Sequence, residues 1–417
     1  MHTTLPGLRQ PLSQPIRPMF VSTIPPEECG LATFTRDTAD AFDEDAGCAS
    51  SELMAIRRSD ATVYGDPRVS HVIDGHDRRA FRHAGEVASL GDCDIVSIQH
   101  EFGLYCGPWG DAVLDLALAC RKPIATTFHT LMADPPEMAR SIIRHLAALS
   151  RGVVVMTRAA ADLLAGDFRV PPSKIHVIPH GVPSVPPRGA MHCKRRLGLQ
   201  DRRVLCTFGL IGRGKGLERM IEAMPAIVRA FPSALYRIIG VTHPLVRRDE
   251  GESYREELQR LADRLGVGGH VGFVNQFLEL PELLIHLQAC DVYVTPYPNR
   301  SQIASGTLAY AMAAGRAIVS TRYIHAEEVL AEGRGVLVPS ASSPGLAEAC
   351  MRVLGDDRLR ADIGRRAHAY SIPMRWPQVA RAYHDLFDHI VSSRLPGESP
   401  AAARRGDRRP ERSTGVP

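Results

Sequence analysis

The sequence predicts an α/β protein built as two Rossmann-like, doubly wound domains facing an inter-domain cleft. Short apolar β runs alternate with amphipathic helical runs from Met19 onward. The β runs are predominantly apolar rather than alternating, as expected of strands covered on both faces of a parallel sheet. A chain of 417 residues also exceeds what one compact core holds, which predicts two domains.

The elements follow in order. The opening "MHTTLPGLRQPLSQPIRP" has no apolar h-region, so it is not a signal peptide and reads as a flexible leader over residues 1–18. Strand candidates in the first half are "MFVSTI", "DIVSIQH", "KPIATTFHT", "GVVVMT" and "IHVIPHGV". Those of the second half are "RVLCTFG", "ALYRIIGV", "HVGFVNQ", "DVYVTPY", "AIVST" and "GVLVP". Between Leu217 and Phe231 the positions Leu217, Met220, Ile221, Met224, Ile227, Val228 and Phe231 repeat at helical spacing. A Pro-rich, basic break, "PSVPPRGAMHCKRRLG" (Pro183 to Gly198), separates a first domain over 19–188 from a second over 199–375. A helix of roughly Trp376 to Val391, within a segment 376–394, is expected to pack back across the junction. Residues 395–417, rich in Pro, Gly, Ala and Arg, are expected to be disordered. No internal repeat is evident.

Composition excludes several classes. A net charge of +4 at this length gives no nucleic-acid footprint. Nine cysteines, an odd number without a CxxC pair, argue for reduced thiols in a cytoplasmic protein and against a disulfide framework or zinc site. No apolar run approaches the ~18 residues of a membrane helix. Lysine occurs only at 122, 174, 194 and 215, so the one in the Gly-rich loop stands out.

That loop, "FGLIGRGKGLERMIEA", follows the first strand of the second half. Gly209-x4-Gly214-Lys215 opens like a Walker A motif, but Gly216 stands where magnesium would need Ser or Thr, and no Walker B strand is found. What survives is a phosphate-binding reading. The glycines admit close backbone approach, a helix N-terminus follows, and Arg213 and Lys215 add two charges. The stretch "PYPNRSQIASGTLAYAMAAGRAIVST" (Pro296 to Thr321) makes a second strand–loop–helix turn, with Ser305, Gly306 and Thr307 at the helix start and no carboxylate from Pro296 through Gly315.

These segments resemble the family-4 (group 1) retaining glycosyltransferases of the GT-B fold, over about Met19 to Phe387. The Gly-rich loop is similar to the family's diphosphate-binding "GRLxxxKG" pattern. Lys215 matches the Lys, Leu210 takes the Arg position, and Arg213 could supply that charge. "ECGLATFTRDTADAF" resembles the first strand–loop–helix, with Gly30 beside the cleft. "TTFHTL" places His129 at a strand end, where the resemblance implies a role near donor sugar and acceptor. "IQHEFGLYCG" looks like an acceptor-side loop, in which Glu101 binds acceptor hydroxyls or caps a turn. Val274, after the "HVGFVNQ" strand, is implied as a base contact.

The family's Glu-x7-Glu pair would contact the donor sugar with its first member and the ribose with its second. Aligning Ala311 to Gly315 puts those positions at Gln302 and Tyr310, neither acidic. Gln302 retains hydrogen-bonding capacity, whereas Tyr310 cannot grip a diol as a carboxylate does. Glu327 and Glu328, after the next strand, are candidate substitutes. The resemblance implies transfer of a hexosyl group from a nucleotide diphosphate sugar to a carbohydrate or glycolipid acceptor hydroxyl. Retention of configuration and no need for a metal or other cofactor are implied with it, and peripheral membrane contact stays open. A GT-B phosphorylase or epimerase, or a non-catalytic nucleotide-sugar-binding protein, stay open as alternatives.

Overall fold

The computed structural model describes residues 16–45, 51–186, 188–339 and 342–393. The tail assigned to 395–417 and most of the leader lie outside them.

Two parallel sheets organise the chain. The first comprises β1 (Pro18–Ser22), β2 (Glu52–Arg57), β3 (Val69–Asp74), β4 (Ile95–His100), β5 (Ile124–Phe128), β6 (Gly152–Val155) and β7 (Ile175–Val177), in the order β3-β2-β1-β4-β5-β6-β7. The second comprises β8 (Arg203–Phe208), β9 (Ala234–Ile239), β10 (Val271–Val274), β11 (Val292–Thr295), β12 (Ala317–Thr321) and β13 (Val336–Val338), in the order β10-β9-β8-β11-β12-β13. Both repeat the doubly wound order, in which the chain reverses direction across the sheet beside its first strand. That reversal leaves a crevice at the C-terminal ends of β1 and β4, and another at those of β8 and β11.

The central strands are buried along their whole length, every residue of β1, β4, β5, β11 and β12 included. Two strands were not anticipated from the sequence. β2, "ELMAIR", hides its apolar centre between charged ends, and β3, "VSHVID", is an edge strand exposed at Ser70 and Val72, with Ile73 its one fully buried residue. The break at 183–198 also contains a helix, Ala190–Arg196, which belongs to the second domain. Its Lys194 Nζ donates to Asp291 Oδ2 (2.6 Å) and the Arg202 carbonyl (2.9 Å), and its Cys193 packs with Ile285 and Ala289.

The helix Leu217–Ala230 buries Leu217, Met220, Ile221, Ala223, Met224 and Ile227. Val228 and Phe231 stay half-buried at its end. The last helix, Trp376–Ser392, returns to the first domain. There Phe387 meets Phe20 and Phe42 at ring-centroid distances of 6.2 and 5.8 Å, and the Tyr383 and Thr127 hydroxyls pair at 3.1 Å. Among the described residues no helix is long and apolar enough to cross a membrane.

Candidate functional site: a cleft between two switch points

In the second domain the two turns singled out by sequence flank the β8/β11 crevice and touch. Lys215 Nζ donates to the Tyr297 hydroxyl (3.3 Å) and sits 4.5 Å from that ring's centroid. The Tyr297 hydroxyl pairs with Thr307 Oγ1 (2.9 Å), which reaches Ser305 Oγ (3.3 Å). Ser305 caps the helix Gly306–Ala313 by accepting the Leu308 N–H (3.3 Å). A run of hydroxyls therefore joins the lysine to the helix N-terminus, with the amides of Gly306 and Thr307 beside it. Lys215 has no carboxylate within ion-pair distance among the described residues. A cation and a helix start in one crevice form a site for an anion.

Two glycines make this geometry possible. Gly216 has φ +64°, and a Cβ there would meet the Pro296 carbonyl at the end of β11. At Gly306 a Cβ would lie 2.6 Å from His180 Nε2, so the first domain's last segment presses on the start of the helix. The His180 pKa is pushed down to about 4 by burial, and Nδ1 lies 2.7 Å from the Gly181 carbonyl.

Other candidates lie elsewhere. Arg213 turns away from the crevice: its guanidinium donates to Glu257 Oε2 (2.8 Å) and Glu250 Oε2 (3.0 Å) and stacks over Tyr254. The reason is local, since the helices Pro244–Glu250 and Ser253–Arg264 present those carboxylates to it. The Val274 carbonyl accepts the N–H groups of Gly240 and Gln276, both at 2.9 Å, so strand termination already engages it. Gln302 folds onto its own loop, Nε2 donating to the Ala304 carbonyl (2.9 Å).

Tyr310, 8% exposed, points across the domain boundary and donates to Asp37 Oδ2 (3.3 Å). The Asp37 pKa is raised, chiefly by burial and against its hydrogen bond from Arg36. Glu328 is the sharpest departure from a donor-contact role. Its two oxygens accept the Arg158 and Ala159 N–H groups, each at 3.0 Å, at the start of the first-domain helix Arg158–Gly166. It fastens one domain to the other.

The first domain's crevice is lined differently. Gly30 opens the helix Gly30–Glu44 and is exposed, with nothing within 4 Å of a notional Cβ. Glu101 Oε2 accepts the Thr130 hydroxyl (2.6 Å), Oε1 accepts the Phe102 N–H (3.1 Å), and burial raises its pKa. His129 Nε2 donates to Gln99 Oε1 (2.9 Å), and Gln99 in turn donates to Ser97. Burial first, then His180 and His100, push the His129 pKa down to about 3. It is thus a neutral imidazole whose Nδ1 is left as an acceptor, a group for orienting a hydroxyl. Behind it His100 is fully buried, with both ring nitrogens unpartnered.

Sequence reasoning missed Tyr297, Gln99 and Asp37. Tyr297 had a signal in "PYP" at the end of β11, while Gln99 and Asp37 acquire their roles only through tertiary partners.

Solved structures share this architecture. HepE of Anabaena in complex with UDP and glucose superposes with a TM-score of 0.71 over 91% of this chain and 100% of that one, at 16% identity. Sucrose-phosphate synthase of Thermosynechococcus elongatus gives 0.75 over the same shares, also at 16%. With two Rossmann-like sheets meeting at one cleft, the molecule has the GT-B fold.

Family descriptions match both halves: "Glycosyltransferase Family 4" residues 32–184 and "Glycosyl transferases group 1" residues 194–370. The phosphatidyl-myo-inositol mannosyltransferase of Mycolicibacterium smegmatis is 30% identical over 314 residues, covering 74% of this chain and 75% of that protein. The same organism's GDP-mannose-dependent alpha-(1-6)-phosphatidylinositol monomannoside mannosyltransferase is 26% identical over 61% and 69%. The chain belongs to the family 4, group 1 glycosyltransferases and is an enzyme of the hexosyltransferase class.

Proposed function

We propose that the protein transfers a hexosyl group from a nucleotide diphosphate sugar to a carbohydrate or glycolipid hydroxyl, with retention at the anomeric carbon and without a metal. The observation that carries this reading is the contact of Lys215, through Tyr297, with Thr307 and Ser305 at the β8/β11 crevice. A departing diphosphate gains negative charge as the glycosidic bond breaks. Lys215 and the helix amides are fixed before that charge appears, which stabilises the transition state without reorganisation. On the facing side neutral His129 and the Glu101–Thr130 pair are placed to orient the acceptor hydroxyl. Retention rests on family membership. The chain's relatives make GDP-mannose the first donor to try, and their names point to an inositol-bearing acceptor. Cysteines that are all free among the described residues fit a cytoplasmic location, and peripheral membrane contact stays open.

The test is a thermal-shift screen of nucleoside diphosphates and their sugars against the wild type and Lys215→Ala, followed by turnover with inositol-bearing acceptors. Stabilisation of the wild type alone is the expected result. Equal response of the variant, or no response of the wild type, removes the donor site from this crevice.

A further inference from the structure

Near the domain boundary two half-buried cations have no carboxylate within ion-pair distance among the described residues. Lys215 is one. The other is Arg58, directly after β2 in the first domain. Its Nη1 donates to the Gly103 carbonyl (2.7 Å), and no carboxylate among the described residues lies within ion-pair distance of the guanidinium. Glu27 is close but engaged otherwise, its Oε1 accepting the Arg58 backbone N–H (3.1 Å) and the Thr62 hydroxyl (3.0 Å). Neighbouring arginines contrast with this. Arg57 pairs with Asp60, Arg213 with Glu250 and Glu257, and Arg247 with Glu28.

A continuous chain of contacts places Arg58 opposite the Lys215 loop. Glu27 holds Arg58, and the next residue, Glu28, reaches across the domain boundary to Arg247 (3.5 Å). Arg247 lies on the helix Pro244–Glu250, which is capped by His243. The His243 N–H in turn bonds the Ile211 carbonyl (2.8 Å) within the Lys215 loop. His243 feels both sides: burial first, then the charges of Lys215 and Arg58, hold its pKa below the usual value. A guanidinium presents five N–H donors, and this half-buried one, with a single protein acceptor among the described residues, keeps donors available for an anion.

We propose that Arg58 and Lys215 clamp the diphosphate of the nucleotide-sugar donor from opposite sides of the cleft. The inference rests on the donor reading above and adds the first domain as a supplier of charge. It accounts for a second domain whose other loop cation, Arg213, is neutralised by Glu250 and Glu257. It also links binding to closure. Without donor the facing cations repel, and the diphosphate turns that repulsion into attraction, so occupancy draws the domains together.

The test is calorimetric titration of UDP, GDP, UMP and GMP into the full-length wild type, Arg58→Gln, Arg58→Lys and Lys215→Gln, each first shown to unfold at the wild-type temperature. Arg58→Gln should weaken the preferred diphosphate on the order of ten- to hundred-fold, the worth of a charged hydrogen bond. Monophosphate affinity should change less than about threefold, and Arg58→Lys should recover part of the loss, because a lysine keeps the charge without the fork. If Lys215→Gln weakens the diphosphate and Arg58→Gln does not, the donor site stands and the clamp is wrong. If neither variant matters, both fall. An Arg58→Gln enzyme whose acceptor KM alone rises assigns Arg58 to an anionic acceptor group and likewise overturns the clamp.

Discussion

The two crevices repeat one topology and oppose each other in chemistry. At β8/β11 the lining is a lysine, three hydroxyls and a helix start, with no acidic residue from Pro296 through Gly315. At β1/β4 it is Glu101, the neutral imidazole of His129 and, behind them, the buried imidazole of His100. Strand order therefore decides where a ligand sits, and the side chains after each strand decide which ligand. One crevice suits a polyanion that must depart, the other a neutral hydroxyl that must be aimed.

The largest effect expected from pressing on this contrast is acid sensitivity. Burial pushes His100 and His325 down to about 3, against an ordinary value of 6.5, and ring nitrogens of both lack partners. Because the folded-state pKa is depressed, the neutral ring is favoured by folding. Stability is full above pH 6.5 and falls as the pH drops towards 3, since only the unfolded chain takes up the protons. By pH 5 each ring costs about 2 kcal/mol. His129 and His180 shift the same way. Asp37 and Glu101, raised by burial, act with the opposite sign at lower pH. Denaturant unfolding at pH 7 and pH 5 should show a loss of several kcal/mol, smaller in His100→Phe. An unchanged midpoint would sink the assignment of neutral buried rings.

Next in size is the division of labour itself. Lys215→Ala should weaken nucleoside diphosphate binding by about 30- to 100-fold, as loss of a charged partner does. Glu101→Gln should leave that affinity alone and raise the acceptor KM. If Glu101→Gln affects the donor as strongly as Lys215→Ala does, the two crevices are not chemically separate.

Much of this contrast was legible in the sequence because it is local. Strand–loop–helix turns with Lys215 and with Ser305-Gly306-Thr307 announce themselves by glycine, charge and position after an apolar strand. What escaped is what tertiary pairing decides. Arg213 carries the same local signal as Lys215, yet carboxylates from two later helices neutralise it. Tyr310 sits where the alignment sought a donor contact and Glu328 was a candidate substitute, and both reach into the first domain instead. Arg58, one of many arginines, had no signal at all. β2 and β3 were missed because charged ends and half-exposed faces mask short edge-side strands.

The junction between the crevices offers a subtler perturbation. Gly306→Ala puts a methyl against His180 Nε2. His180 cannot retreat freely, since Phe34 packs at 5.1 Å and Tyr310 at 6.3 Å between ring centroids. The helix start should shift, costing about 1–3 kcal/mol of stability. Donor affinity should fall while acceptor affinity falls less, because the displaced amides belong to the donor side. Wild-type stability and donor binding in this variant would show that the close approach is not a constraint.

The smallest effect is expected at Arg213, and it separates the structural reading from the one drawn from sequence. Its guanidinium bridges Glu250 and Glu257 at the surface and covers Tyr254. Exposed ion pairs of this kind contribute little, because solvent screens them and ordering long side chains opposes the attraction. Arg213→Ala should therefore alter nucleoside diphosphate affinity by less than about threefold, against the far larger loss at Lys215. A loss comparable to that of Lys215→Ala would mean that the arginine leaves its two carboxylates when donor binds. The second domain would then hold both cations of the diphosphate site, and Arg58 would not be needed for the clamp.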